Sequence, residues 1–269
     1  MPAKKSLGQH FLKSKRVAAY IAEAAQIGLN DSVLEIGPGK GILTEALLAR
    51  AGHIVAVEKD PELVAYLKRR FPDEIKKQKL VLVQGDALRF DPARYAPHDA
   101  RYKVVANIPY YITGALLKHV LTLERQPASM TLVVQKEVAE RIVARNGKES
   151  ILSLSVKAYG MPRYVKTVRA GVFTPKPKVD SAILTIENIS RVFFTENDID
   201  ESAFFALVKK GFAHKRKKLA SNLEIPSGVF ESCGITLDIR AEDLSLGGWR
   251  CLTRQCSHSR VSTKRLRSE

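Results

Sequence analysis

The residues best suited to chemistry stand in VVANIPYYIT, residues 104–113. An apolar strand stops there on Asn107, Ile108, Pro109 and Tyr110, just before a helical pattern begins. Asn107 offers a side-chain carbonyl as an acceptor. Ile108 precedes a proline, which holds its backbone extended and leaves its carbonyl as a second acceptor. Two neighbouring carbonyls suit an amino group with two protons to give. The lone pair of an amine on an aromatic base is delocalised into the ring, so the nitrogen is a poor nucleophile. Hydrogen bonds from both protons draw it toward a tetrahedral shape and aim its lone pair at an electrophile. Tyr110 supplies a flat surface for the base. A base within a duplex does not reach such a turn, so it must be single-stranded or flipped out and held between flat groups. Phe173, in VFTPKPKVDSA, is the candidate for the second face. Positioning for an in-line displacement carries most of such a reaction, with no metal and no activated nucleophilic side chain. The plainer readings are a strand-ending turn broken by Pro109 and a core phenylalanine in a hairpin.

NIPY resembles the Asn/Asp-Pro-Pro-Tyr/Phe signature of enzymes that methylate an exocyclic amine. Such an enzyme needs a seat for its methyl donor, and VLEIGPGKGILTEAL, residues 33–47, offers one. Gly37, Gly39 and Gly41 fall in the turn after a short strand, where glycine lets the backbone approach a ligand closely. A dinucleotide fingerprint places its third glycine three residues after the second. Here it comes two after, in a GxGxG pattern preceded by Glu35. That spacing resembles class I S-adenosylmethionine methyltransferases. Glu58 closes the next strand and suits the two ribose hydroxyls. Asp86, in VQGDAL, suits the exocyclic amine of the cofactor's adenine. As alternatives, Glu58 is an exposed strand-end acid and Asp86 a helix N-cap.

The elements that must position these residues alternate between strand and helix. Strands are expected at 32–36, 53–58, 80–84, 102–106 and 129–135, with helices at 41–52, 61–71, 113–123 and 136–144. This alternation implies an α/β fold with a mostly parallel sheet, and ligands gather beyond the carboxyl ends of such strands. Residues 162–187 read as two strands around a Pro-rich turn, an antiparallel hairpin at the sheet edge. The expected domains are a Rossmann-like catalytic domain over 1–190, a small all-helical domain over 195–252, and a disordered basic tail over 253–269. Within the helical domain, residues 201–223 read as helix, and Lys215, Arg216, Lys217 and Lys218 suit RNA phosphates unless they are merely a solvated face.

Forty-four Lys and Arg against 28 Asp and Glu give a net charge of +16, which suits a polyanion, with nucleic acid ahead of an acidic membrane. No apolar run is long enough to span a membrane, and the basic start lacks a signal peptide's apolar stretch. Cys233, Cys251 and Cys256 form no metal pattern, and their odd count favours free thiols in a reducing cytosol.

KKSLGQHFL, LEIGPGKGILT, NIPYYIT, QKEVAERIVA and FTPKPKVDSAIL, in that order, resemble the rRNA adenine N6,N6-dimethyltransferases, above all their bacterial small-subunit (16S) branch. The resemblance covers about residues 4–250. It implies S-adenosylmethionine as cofactor and dimethylation of two adjacent adenines in the 3′-terminal hairpin loop of 16S rRNA, within the immature 30S subunit. It implies a cytoplasmic, monomeric enzyme whose helical domain helps to dock on the ribosomal subunit. It makes His10 and Leu12 cofactor contacts from a segment folded over the site, alongside Gly37, Gly39, Glu58, Asp86 and Asn107, with Asn107 through Tyr110 as the catalytic turn. Many members carry Asn where His10 stands. The last helix of the family usually continues as an apolar segment, whereas QCSHSRVSTKRLRSE follows here. Rival readings are a large-subunit rRNA dimethyltransferase, a non-catalytic RNA-binding factor and a DNA adenine methyltransferase.

Overall fold

The computed structural model describes residue 4, residues 8–92, residue 95 and residues 101–265. Residues 5–7 of the KKSLGQHFL motif and the last four residues of the expected tail lie outside this set. The chain forms two compact units, residues 1–139 with 160–189, and residues 140–159 with 190–269.

The first unit opens with β1 (Phe11–Leu12) and α1 (Lys15–Ala24), followed by β2 (Ser32–Ile36), α2 (Ile42–Leu48), β3 (His53–Glu58), α3 (Pro61–Arg70), α4 (Pro72–Lys76) and β4 (Leu80–Gln84). It continues through β5 (Tyr102–Asn107), α5 (Thr113–Thr122), β6 (Ser129–Gln135) and α6 (Lys136–Ile142), which runs past the unit's edge. After α7 (Ile151–Lys157) of the second unit come β7 (Met161–Val168), β8 (Phe173–Thr174) and β9 (Ser181–Glu187). Seven strands form one sheet in the order β4-β3-β2-β5-β6-β9-β7. The first five are parallel; β9 runs antiparallel to β6, and β7 antiparallel to β9. A parallel sheet covered on both faces needs strands that are apolar throughout, and all five residues of β2 are buried. Among the described residues no helix is long and apolar enough to cross a membrane.

Register fixes where the site forms. Ile36 lies opposite both Val57 and Ala106, and Glu58 opposite Gln84. The glycine turn, Glu58, Asp86 and Asn107 therefore leave the sheet along one edge. Gly41 caps α2 with φ +77°, and a Cβ there would lie 2.7 Å from Phe71 Cε2 and 2.9 Å from Leu67 Cδ2. Gly41→Ala is expected to cost about 2–4 kcal/mol, the sum of a left-handed backbone and overpacking. A lower urea midpoint at unchanged slope checks this.

The second unit adds α8 (Val192–Thr195), α9 (Glu201–Gly211), α10 (Leu219–Leu223), α11 (Ser227–Ser232) and α12 (Leu246–Arg265) to α7. Four expectations need correction here. Residues 140–159 belong with the helices, not with the catalytic domain. The Tyr159 ring lies 5.3 Å from Phe194 and 5.9 Å from Phe205, and its hydroxyl donates to Glu201. Lys215 through Lys218 do not continue a helix. They occupy an exposed turn after α9, whose terminal carbonyl at Gly211 accepts from Asn222 Nδ2 at 2.6 Å, as does that of His214 at 3.1 Å. Cys233 and Cys251 form a disulfide, Cα atoms 5.8 Å apart, because α11 ends beside α12; an odd count leaves room for one pair. The tail expected to be disordered from residue 253 is helical instead, since α12 runs to Arg265. Leu252 and Thr253 are buried and the Thr253 hydroxyl donates to the Trp249 carbonyl, so the chain is still packed where its apolar periodicity fades.

Candidate active site

A cavity of about 200 Å³ opens at the carboxyl edge of the sheet. Its lining brings together His10, Leu12, Gly37, Gly39, Glu58, Asp86, Asn107, Ile108 and Pro109, residues drawn from five separate stretches of chain.

The glycine turn forms one wall. Gly37 and Gly39 have φ of +68° and +57°, conformations that favour glycine. A Cβ on Gly39 would lie 3.1 Å from the Phe11 ring, so the turn presents bare backbone under β1. Glu58 is buried at the end of β3 and accepts from the Gly39 amide at 3.1 Å and the Asp60 amide at 2.9 Å. Burial raises its pKa, and these backbone donors offset part of the rise. Asp86 pairs with Lys59 at 2.8 Å and accepts from the Leu88 amide at 3.0 Å. Lys59, and then the Leu88 amide, hold the Asp86 carboxyl below its ordinary value. It thus acts as a local cap, and it faces the cavity as well.

Glu35 lies directly behind the turn, fully buried in β2. Burial pushes its pKa up to about 8, the neighbouring Thr44 hydroxyl opposes this, and Glu58 adds to it. Neither carboxyl oxygen has a hydrogen-bond partner of ordinary geometry. The pH dependence follows. Below about 4.5, its ordinary value, the group is protonated in both folded and unfolded chains and costs nothing. Between 4.5 and about 8 the unfolded chain releases the proton while the folded chain keeps it, so stability falls as pH rises. Above about 8 the loss levels off. Glu35→Gln is expected to gain stability over the wild type between pH 5 and pH 8, at up to about 1.4 kcal/mol per pH unit. Urea unfolding of both proteins at the two pH values checks this; parallel pH dependences would contradict it.

The N-terminal segment crosses the cavity as a strap. Lys4 pairs with Asp60 at 2.8 Å and Glu62 at 3.1 Å. Gly8 packs against Tyr111, where a Cβ would lie 3.0 Å from the ring. β1 pairs antiparallel with β8, Leu12 opposite Phe173. The strap also reaches the catalytic turn. Asn107 Nδ2 donates to the His10 carbonyl at 3.2 Å, and among the described residues Asn107 Oδ1 has no partner. The His10 ring stacks on Tyr110, centroids 5.7 Å apart, and its Nδ1 lies 2.7 Å from the Pro175 carbonyl.

Two expected residues are placed differently. Phe173 is 2 % exposed, packed in the core where β8 meets β1, and does not line the cavity. Its alternation on a two-residue strand turns it inward. Tyr110 is half-buried, its hydroxyl 2.7 Å from Ser181 Oγ, and His10 covers its ring. Tyr111 lines the cavity instead and is 67 % exposed. Sequence reasoning missed Tyr111, although a second aromatic beside the turn was the available signal. It also missed Lys59, whose pairing with Asp86 is tertiary and leaves no mark in spacing. Lys215 to Lys218 belong to the other unit.

Comparison with known proteins adds to this geometry. Residues 2–253 match the family described as ribosomal RNA adenine dimethylase. The chain is 41% identical to the Ribosomal RNA small subunit methyltransferase A of Dehalococcoides mccartyi, over 94% of this chain and 88% of that protein. It is 39% identical to the protein of the same description from Caulobacter vibrioides, over 94% and 96%. A dimethyladenosine transferase from Plasmodium falciparum superposes with a TM-score of 0.80 at 25% identity, covering 93% of this chain and 98% of that one. The 23S rRNA methyltransferase ErmE shares the fold, with a TM-score of 0.72 at 24% identity over 91% and 98%.

Proposed function

Because this chain belongs to the ribosomal RNA adenine dimethylase family, we propose that it transfers methyl groups from S-adenosylmethionine to the N6 amines of two adjacent adenines in the 3′-terminal hairpin loop of 16S rRNA. The immature 30S subunit is the proposed substrate particle, and the cytoplasm the place of action. The enzyme works as a monomer.

The residues present fit the cofactor. Bare glycine backbone at Gly37 and Gly39 leaves room for close approach, and Glu58 carries a buried carboxylate that suits ribose hydroxyls. Asp86 provides an acceptor for an adenine amine, while His10 and Leu12 cover the cavity from the strap. Bound there, the sulfonium supplies an electrophilic methyl carbon. Asn107 Oδ1 and the Ile108 carbonyl accept the two N6 protons and aim the nitrogen lone pair. Tyr110 supplies one flat face once His10 yields it, and Pro109 keeps the turn extended. Lys215, Arg216, Lys217 and Lys218 grip phosphates without reading sequence.

The observation that carries this reading is the anchoring of Asn107. Its amide NH2 is taken by the His10 carbonyl, so the acceptor end remains for substrate. Transfer of tritium from labelled S-adenosylmethionine to unmodified 30S particles, followed by nucleoside analysis, tests it. Dimethyladenosine in the small-subunit RNA is expected. Transfer to protein-free large-subunit rRNA instead would shift the assignment to the other branch.

A further inference from the structure

Lys166, Tyr20 and Arg16 form a cluster that the cavity does not use. On α1, Arg16 and Tyr20 stand one turn apart, and Arg16 Nη2 donates to the Tyr20 hydroxyl at 3.2 Å. The Arg16 guanidinium carbon lies 5.6 Å from the ring centroid, and Lys166 Nζ lies 4.1 Å from it. A bulge in β7 turns Lys166 toward this ring. Tyr164 pairs with Leu184 and Lys166 with Ile183, which leaves Val165 as an extra residue. Val165 packs on the core, and the strand's alternation shifts by one, as bulges do when they re-aim a side chain.

Neither cation has an ion pair among the described residues, in contrast to Lys15 nearby, which pairs with Glu45 at 2.7 Å. Glu23, further along α1, acts weakly on the Tyr20 phenol but pairs with neither cation. The hydrogen bond from Arg16, and then the charges of Arg16 and Lys166, pull that phenol below its ordinary value. Two like charges held on one ring without a counter-ion cost free energy, which an anion would recover. A charge on an edge strand also deters strand addition. That purpose needs neither the tyrosine nor a second cation.

The cluster is continuous with the site. Leu12 lines the cavity, Ser14 caps α1, and the Lys13 amide donates to the Val172 carbonyl at 2.9 Å. Lys13, Arg169, Lys176 and Lys178 are exposed along the same stretch, on either side of the β1–β8 pair.

We propose that Arg16, Tyr20 and Lys166 form a phosphate-binding point that holds the backbone of the RNA strand whose base enters the cavity. This inference rests on the reading of the chain as an rRNA methyltransferase. It adds a grip on the catalytic unit, separate from the lysine-rich turn of the helical unit. The phosphodiester accepts from Arg16 and Lys166, and the Tyr20 ring keeps the two cations together.

The test compares Arg16→Glu/Lys166→Glu with a control of equal charge, Lys68→Glu/Arg69→Glu, at exposed positions on α3. The probe is a transcript of the 3′-terminal small-subunit hairpin, with affinity measured across a salt series. The cluster variant is expected to bind about tenfold more weakly at 0.1 M salt. Its slope of log affinity against log salt should fall by about 1.5–2, the counterions of two phosphate contacts. Affinity for S-adenosylmethionine and the thermal midpoint should match the wild type. Tyr20→Ala should give a smaller loss in the same direction. Wild-type affinity and slope in the cluster variant, or an equal loss in the control, would overturn the inference. Because the readout is binding, it stands apart from the tritium assay, whose failure would overturn the proposed reaction instead.

Discussion

Asn107→Ala is expected to bind S-adenosylmethionine as the wild type does and to lose methyl transfer by about 10²–10³-fold, the usual cost of removing one preorganised hydrogen-bond partner at a reacting centre. The residue ends β5, half-buried, with its NH2 held by the His10 carbonyl at 3.2 Å. Truncation removes that bond, a loss of about 1 kcal/mol that the sheet tolerates. It also removes the acceptor proposed for one N6 proton. With that proton unheld, the lone pair stays in the ring and the nitrogen is not aimed. The effect therefore falls on kcat at saturating cofactor and RNA. Isothermal titration with S-adenosylmethionine, beside single-turnover transfer to 30S particles, separates the two quantities. If affinity and transfer fell together, Asn107 would be a cofactor ligand or a folding residue, and its catalytic assignment would fail.

Glu58→Ala is expected to do the reverse. Its buried carboxylate accepts from two amides, those of Gly39 and Asp60, and is proposed to take the ribose hydroxyls as well. A hydrogen bond to a charged group contributes about 1.5–3 kcal/mol, so losing the ribose contact weakens the cofactor about 10–100-fold. Releasing the Gly39 amide loosens the glycine turn and adds to the loss. Transfer at saturating cofactor should recover most of the wild-type rate. Glu58→Gln keeps one acceptor and sets an NH2 group against a backbone N–H, so its affinity should fall between the two. Unchanged affinity in Glu58→Ala would remove the ribose assignment.

Much of this fold can be read from the sequence because its central strands are buried on both faces, while the edge strand β4 keeps the same apolar run at partial burial. Such strands appear as short apolar runs, and β2, β3 and β4 occupy the ranges expected of them. The carboxyl-edge rule then gathers Gly37, Glu58, Asp86 and Asn107 without any further signal. What escapes is decided by contacts between distant segments. Phe173 is turned inward by its pairing with Leu12, a register that no local pattern encodes. Tyr110 loses its open face to His10, a stacking between residues a hundred positions apart in sequence. Residues 140–159 join the helical unit through the Tyr159 ring and its phenylalanine neighbours, although their own pattern is that of any short helix. The Cys233–Cys251 pair depends on where α11 ends beside α12, which counting cysteines does not reveal.

The most direct measurement is a crystal structure with sinefungin, a non-reacting analogue of S-adenosylmethionine, and a short adenine-bearing RNA. The predicted result places the adenine N6 about 2.7–3.2 Å from both Asn107 Oδ1 and the Ile108 carbonyl oxygen, ordinary hydrogen-bond distances, with the analogue's amine directed at N6. An ordered adenine seated elsewhere, or an analogue bound away from the glycine turn, would contradict the account.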